Sequence, residues 1–519
     1  MKNQTGSEGS EDSEHVEGSH RKVVIRTIPT GVEGLDEILG GGVPEFSLNL
    51  IAGLPGSGKT TLAHQIVFAN ATEERPVIYF TVLGEPPLKM LRYQQQYTFF
   101  DPLKVGTAVK FVNLSDLLLE GDLEALYGEI TKQVEAIQPR VIVVDSFRTL
   151  VGGEFGDEPA SSMQLFIHRL CHFLTSWEAT TFMVGEYGME DIHGSAVFTI
   201  ADGLIWLWQV AERNSVVRKL QVLKLRGHSS VPGLHTIRIS NDGIQAFSRT
   251  LGLVGKKVPM GMGRRLSMGI PELDKMLGGG IREGDSVLIA GPSGTGKSAL
   301  ATQFIAEGVR VGEPGIMAIF EERPEGYLQR AGTFGLDLKD AAHSGMVETL
   351  YLRPLDLSVD ETMREMMDAI ERVGAKRLVI DSLVGFEMAL APGFRADFRE
   401  SLYRMIGALT GAGITIVSTV EVEDTFEGFP FSHYAISFLT DDIIRMRYVE
   451  IGGQLRKVMV VIKMRGGNHS KDIREYVVTD KGVVIIGPRR TDFTGLTSGL
   501  PRAVSGVVEV SPEPKEPSE

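Results

Sequence analysis

Short apolar runs alternate along this chain with longer stretches of mixed apolar and polar residues. The run Leu48–Ala52 leads into the glycine-rich segment Gly53–Lys59 and then into TTLAHQIVFANA. The run SVLIA from Ser286 leads in the same way into Gly291–Lys297 and SALATQFIAEGV. Each predicts a strand, a tight loop and a helix. PVIYFTVL and GIMAIF predict a second strand in each half, and RVIVVDS and RLVIDS a third that ends in aspartate. Alternating, β-branched segments, KLQVLKLRG and KVMVVIKMRG, predict strands near the end of each half. Strands alternating with helices predict an α/β fold: a mainly parallel sheet with helices on both faces. The stretch LRYQQQYTFFDPLKV at 91–105 is expected to be a helix with a packed aromatic edge, with a partner-facing insertion as the alternative.

The two halves are copies. GVEGLDEILGGGVPEFSLNLIAGLPGSGKTTL from Gly31 aligns without a gap on GIPELDKMLGGGIREGDSVLIAGPSGTGKSAL from Gly269, with about half the positions identical. A repeat this long means two domains of one fold, whereas a solenoid repeats every ~20–50 residues. The expected domains are 21–250 and 265–488. A Gly-, Pro- and Lys/Arg-containing linker joins them at 251–264, and polar, disordered tails are expected at 1–20 and 489–519.

Composition narrows the function classes. At 519 residues there is chain enough for two full hydrophobic cores. The formal net charge of −14 argues against a nucleic-acid-coating surface, so DNA is not an expected partner. A single cysteine, Cys171, excludes an intramolecular disulfide framework and a cysteine-rich zinc site. The start MKNQTGSEGSEDSEHVEGSH lacks the apolar stretch of a secretory signal, and no apolar run is long enough to cross a bilayer. A cytoplasmic protein without a membrane partner is expected.

The two glycine-rich loops both satisfy G-x-x-x-x-G-K-[ST]. In such a loop, backbone N–H groups turn inward around phosphate oxygens at the start of a helix. Gly56, Ser57, Gly58, Lys59, Thr60 and Thr61 form the first candidate nucleotide site, and Gly294, Thr295, Gly296, Lys297, Ser298 and Ala299 the second. Each lysine would reach the β- and γ-phosphates of ATP, while Thr60 and Ser298 would hold Mg²⁺. Asp145 and Asp381 end the third strands; they either order Mg²⁺ through water or cap the following turn. The halves differ after the second strand. Aligning Pro87 on Pro324 sets Glu85 on Glu322 and Gly84 on Glu321, so only the second half carries paired carboxylates. Phosphoryl transfer needs a carboxylate near the γ-phosphate to orient or deprotonate the attacking oxygen. Glu321, Glu322 and Glu85 are therefore the catalytic candidates, against the alternative of solvated loop charges. Lys224-Leu225-Arg226 and Lys463-Met464-Arg465 recur late in the halves. They suit either cations reaching across a subunit boundary or a charge-protected strand edge.

With these motifs in place, the chain resembles the KaiC family, double-domain ATPases of the RecA-like superfamily. The resemblance covers roughly positions 21–488. It rests on the two phosphate loops, FEE at 320–322, KLRG, YVEI at 448–451 and KMRG…H…IREY at 463–476. It implies two tandem RecA-like P-loop domains and a two-tier homohexamer with ATP between subunits. It also implies slow hydrolysis in the N-terminal ring and autophosphorylation in the C-terminal one. It gives Glu321 the roles of general base and Mg²⁺ contact, and makes Lys224, Leu225, Arg226, Lys463, Met464, Arg465 and His469 contacts to a neighbour's nucleotide. The implied partners are further copies of the chain and signalling proteins of the KaiB kind. Counting back from Tyr448, the family's Ser–Thr acceptor pair falls on Ser437 and Phe438, leaving Ser437 as the expected acceptor, with Ser432 and Thr440 nearby. The expected function is an ATP-hydrolysing ring with serine autokinase activity. A nucleotide-gated scaffold and a recombinase-like DNA-binding ATPase are the alternatives.

Overall fold

The computed structural model describes residues 24–82, 87–120, 122–152, 160–193, 196–212, 215–249, 263–352, 357–422, 439–451 and 453–487, with Phe493–Thr494 paired to Arg502–Ala503. The rest of both expected tails, and the linker up to residue 262, lie outside the described residues, as do Gly84, Glu85, Ser432, Ser437 and Phe438.

Each half is built on a nine-stranded sheet. In the first, β1 (Leu48–Gly53), β2 (Val77–Thr81), β3 (Val109–Asn113), β4 (Val141–Asp145), β5 (Thr180–Glu186) and β6 (Gly203–Glu212) run parallel. β7 (Ser215–Leu225), β8 (His235–Ser240) and β9 (Gly243–Phe247) then fold back as an antiparallel edge. The second sheet repeats this with β10 (Ser286–Gly291), β11 (Gly315–Ile319), β12 (Val347–Tyr351), β13 (Arg377–Asp381), β14 (Thr415–Glu421), β15 (Asp442–Ile451), β16 (Gln454–Met464), β17 (Arg474–Thr479) and β18 (Gly482–Ile486). The spatial order β9-β8-β7-β6-β1-β5-β4-β2-β3 recurs strand for strand as β18-β17-β16-β15-β10-β14-β13-β11-β12. The expected class, two tandem RecA-like α/β domains with mainly parallel sheets, is thus observed.

The main helices are α1 (Lys59–Asn70), α2 (Pro87–Gln94), α3 (Leu123–Ile137), α4 (Ala160–Ser176), α5 (Lys297–Arg310), α6 (Pro324–Thr333), α7 (Val359–Val373) and α8 (Phe398–Gly411). Successive strand residues point to opposite faces, so β1 feeds two cores. Ile51 packs with Leu62 and Ile66 of α1, while Leu50 and Ala52 pack with Ile130 of α3 and Leu170 of α4. In the second half Ile289 meets Leu300 and Phe304 of α5, and Leu288 meets Met366 of α7 and Leu402 of α8. Burial on both faces is why these strands read as unbroken apolar runs rather than as alternation. The two halves touch where Arg238 of β8 pairs with Glu361, a carboxylate that also closes the capping box at the start of α7.

One expectation fails. The segment 91–105 is not a continuous helix: α2 stops at Gln94, and a 3₁₀ turn at Pro102–Lys104 follows. Tyr97, Phe99 and Phe100 lie in the intervening turns, and Phe100 packs against Phe68 of α1 with ring centroids 4.8 Å apart. The aromatic edge is real, but the side chains are held by packing on α1 and not by helical spacing.

His64 of α1 is fully buried, stacked on Tyr79 at 4.5 Å, with neither ring nitrogen hydrogen-bonded. Burial drives its pKa down to about 3, so the ring stays neutral in the fold. An unfolded chain protonates it near pH 6.5. Its contribution to stability is therefore complete above pH 6.5 and is lost as pH falls toward 3. His64→Phe keeps the stack and removes the titration. Urea unfolding between pH 7 and 4.5 should show a smaller loss of stability in the variant, by up to about 1.4 kcal/mol per pH unit; parallel curves would contradict this.

Candidate functional site

Each phosphate loop is the short connection from the central strand to the helix beneath it. Gly56 and Gly58 adopt positive φ of 75° and 103°, and Gly294 and Gly296 of 76° and 103°. A side chain at the second glycine of each pair would crowd its neighbours: a Cβ at Gly58 would lie 2.7 Å from a terminal methyl of Ile239, and one at Gly296 2.9 Å from a methyl of Val478, so those side chains would have to shift. The loop is thus pressed between its own helix and the antiparallel edge of the sheet. Its backbone is left facing a cleft of about 490 Å³ in the first half and 500 Å³ in the second.

Gly56, Gly58, Lys59, Thr60, Thr61 and Asp145 line the first cleft; Gly294, Gly296, Lys297, Ser298, Ala299, Glu321 and Asp381 line the second. Ser57 and Thr295 are fully buried and lie beneath their loops. Lys59 Nζ donates to the Leu54 carbonyl at 2.9 Å, and Lys297 Nζ to that of Pro292 at 2.8 Å. Burial lowers both lysine pKa values; Glu186 and Asp145 oppose this in the first cleft, and Glu421, Asp381 and Glu321 in the second. Thr60 Oγ1 donates to Asp145 Oδ2 at 2.9 Å, which brings the two expected metal-binding groups of the first half together. Glu321 accepts from Ser382 Oγ at 2.6 Å and stays in the cleft. Glu322 instead pairs with Arg330 of α6. Thr440 is 1 % exposed and offers no accessible hydroxyl.

Lys224, Arg226, Lys463 and Arg465 are not brought to their own half's loop. Lys224 and Leu225 pair with the start of β6 (Leu204 and Gly203), whereas Gly53, where the loop begins, lies beside Leu207. Lys224 Nζ donates to the Thr199 carbonyl at 3.0 Å, and Arg226 pairs with Asp202 at 3.1 Å. In the second half Lys463 reaches the Thr440 carbonyl and Arg465 pairs with Asp441 at 3.4 Å. Both strands carry a bulge just before the motif, opposite Leu204/Ile205 and Ile443/Ile444. Leu225 and Met464 are partly buried against their cores, and His469 is half-buried in the turn beyond.

Residues missed in the sequence complete each cleft in matching pairs. Arg218 of β7 donates to the Gly56 carbonyl at 3.4 Å, and Lys457 of β16 to that of Gly294 at 3.0 Å. Tyr97 with Ile239, and Phe334 with Val478, supply an aromatic and an aliphatic wall suited to a nucleobase. Glu186 and Glu421 close β5 and β14, the fifth strand of each half; the signal was legible as TTFMVGE and TIVSTVE, two apolar strands that both end in glutamate.

A family model described as the KaiC ATPase matches residues 28–250 and again 266–490. The chain belongs to the KaiC family of ATPases. It is similar to the circadian clock oscillator protein KaiC of Picosynechococcus sp. at 28 % identity over 491 residues, 93 % of each chain. The protein of that name from Prochlorococcus marinus strain MIT 9313 is 28 % identical over 499 residues, 94 % of this chain and 98 % of the other. That of Thermosynechococcus vestitus is 29 % identical over 493 residues, 93 % of each. No helix among the described residues is long and apolar enough to cross a membrane.

In this KaiC-family chain the start of β15, near Lys463 and Arg465, carries an unusual carboxylate. Asp442 is fully buried and neither of its oxygens has a hydrogen-bond partner. Burial and the neighbouring Asp285 push its pKa up to about 7, with Asp441 acting in the same direction. The nearby backbone N–H of Arg465, which donates to the Asp441 carbonyl and does not complete a hydrogen bond to Asp442, and Arg265 oppose it. A carboxyl that holds its proton in the fold but loses it near pH 4 when unfolded costs stability increasingly as pH rises from 4 through 7. Asp442→Asn should therefore raise stability by about 1–3 kcal/mol at pH 8 and leave it nearly unchanged at pH 4.5. Thermal unfolding at the two pH values decides the point; an equal effect at both would refute it.

Proposed function

We propose that this chain is a two-tier ATP-hydrolysing ring protein whose C-terminal half is also a serine autokinase. One observation carries the reading: Glu321 is held by Ser382 in the same cleft as Lys297, whereas the aligned position of the first half is Gly84. The donor sets fit Mg·ATP. Loop N–H groups and Lys297 face the position of the phosphates, and Ser298, Asp381 and Glu321 in the second cleft, or Thr60 and Asp145 in the first, would hold the metal ion. Bound there, Mg²⁺ supplies neutralisation of charge on the β- and γ-phosphate oxygens.

In the second cleft Glu321 takes the proton of the attacking hydroxyl. As that oxygen bonds to the γ-phosphorus, the bond from phosphorus to the β,γ-bridging oxygen breaks and ADP leaves. Lys297 and the loop amides meet the charge that gathers on the leaving diphosphate. With water as nucleophile the product is phosphate; with a serine hydroxyl it is phosphoserine, and Ser437 is the acceptor assigned. Lys224, Arg226, Lys463 and Arg465, directed away from their own loops, reach the nucleotide of the adjacent subunit in a homohexamer. A place in a signalling assembly with partners of the KaiB kind belongs to the same proposal and rests on the family resemblance alone. Phe438, in place of the family's threonine, favours the second reading, a nucleotide-gated scaffold with little kinase activity.

Glu321→Gln should lower phosphoryl transfer by about 10²–10⁴-fold while nucleotide binding and assembly persist. The check is site-mapped mass spectrometry after incubation with Mg·ATP, alongside phosphate release, with Lys297→Ala as the binding-defective control. Full activity in Glu321→Gln would remove that residue from the mechanism. Hydrolysis without any phosphoserine would leave an ATPase and reject the kinase.

A further inference from the structure

In both halves the aspartate that ends β4 or β13 accepts a hydrogen bond from a buried tyrosine, yet the two tyrosines occupy different places in the fold. In the first half Tyr79, on β2, donates to Asp145 Oδ2 at 2.7 Å. In the second, the strand residue at the register of Tyr79 is Met317 (Tyr79 pairs with Val143, Met317 with Val379), and the phenol comes instead from Tyr327 on α6, 3.0 Å from Asp381 Oδ2. The position aligned with Tyr327 in the first half is Met90. Tyr79 and Tyr327 are 0 % and 2 % exposed. A phenol buried this deeply is costly unless its hydrogen is donated, and an ionised carboxylate can only accept. One contact has thus been built twice from non-equivalent residues, which points to a requirement of the site rather than to inherited packing.

The second copy does more than hold a carboxylate. Tyr327 Oη lies 2.9 Å from Thr302 Oγ1 on α5, the helix that begins with Lys297 and Ser298. Thr419 of β14 donates to the other oxygen of Asp381, so both carboxylate oxygens are held. Tyr327, Arg330 and Phe334 follow one another at i, i+3 and i+7, on one side of α6 and its end. Arg330 and Phe334 line the cleft, and Arg330 also pairs with Glu322, beside Glu321. Helix α6 therefore joins the nucleoside side of the cleft to the carboxylate expected to order the metal ion.

We propose that Tyr327 is a positioning residue of the second site, acting through Asp381 to make nucleotide binding responsive to Mg²⁺; Tyr79 serves Asp145 in the first. The proposal rests on the ATPase reading above. Outer groups that orient a metal-ordering carboxylate set metal affinity without touching the ion.

The test is titration of the full chain with a fluorescent ADP analogue, with and without Mg²⁺, in the wild type, Tyr327→Phe, Asp381→Asn and the double variant. Lys297→Ala identifies the binding component that belongs to the second site. In Tyr327→Phe the metal-free affinity should stay within about twofold of wild type, while the gain on adding Mg²⁺ falls about three- to tenfold, the worth of one hydrogen bond. The double variant should then be no worse than Asp381→Asn alone. An unchanged Mg²⁺ gain, or losses that multiply in the double variant, would overturn the proposal. If Tyr327→Phe does not fold, Tyr79→Phe makes the same measurement at the first site, where Lys59→Ala marks the component. A wild type that binds no nucleotide would instead defeat the ATPase reading itself.

Discussion

The rest of this structure depends on how little space is left at the second glycine of each phosphate loop. The loop must leave β1 or β10, reverse with its N–H groups inward, and enter a helix within a few residues. It does so beneath Ile239 or Val478, on strands that arrive nearly two hundred residues later. A methyl group at Gly58 or Gly296 would collide with those side chains, and positive φ would strain any other residue there. Closing the antiparallel edge of the sheet over the loop is therefore what completes each cleft, because the same edge strands deliver Arg218 and Lys457 to the loop carbonyls.

From that junction the carboxylates fall into place by topology. In a parallel sheet every strand ends on the same side, so Asp145 and Glu186, or Asp381 and Glu421, converge on the lysine although they are far apart in sequence. Their proximity offsets part of the burial that lowers the lysine pKa. The same rule sends the KLRG and KMRG motifs the other way. They end antiparallel strands beside the starts of β6 and β15, so a chain cannot present them to its own loop.

The two halves share a fold and differ in how the same contacts are made. Tyr79 and Tyr327 reach equivalent aspartates from a strand and from a helix. His64, stacked on Tyr79, stands where the second half has Thr302, which touches Tyr327. The packing behind each aspartate has been exchanged as a set, which accords with the close fit of protein interiors.

The sequence alone determined the duplication, the strand–loop–helix order and the two phosphate loops, and it singled out Asp145, Asp381 and Glu321, which the fold places along the clefts. These are local: apolar runs mark buried strands, and glycine spacing marks a loop that must curl. Tertiary structure decided what depends on distant chain segments meeting. Tyr97, Phe334, Arg218 and Lys457 carry no local mark of their role, because it arises only when the sheet edge and the turns after α2 and α6 fold over the loop. The failed helix at 91–105 has the same cause, since packing of Phe100 on Phe68 outweighs any helical preference of that segment. The partnering of Glu322 with Arg330, which separates it from Glu321, was likewise a matter of which way one turn of backbone points.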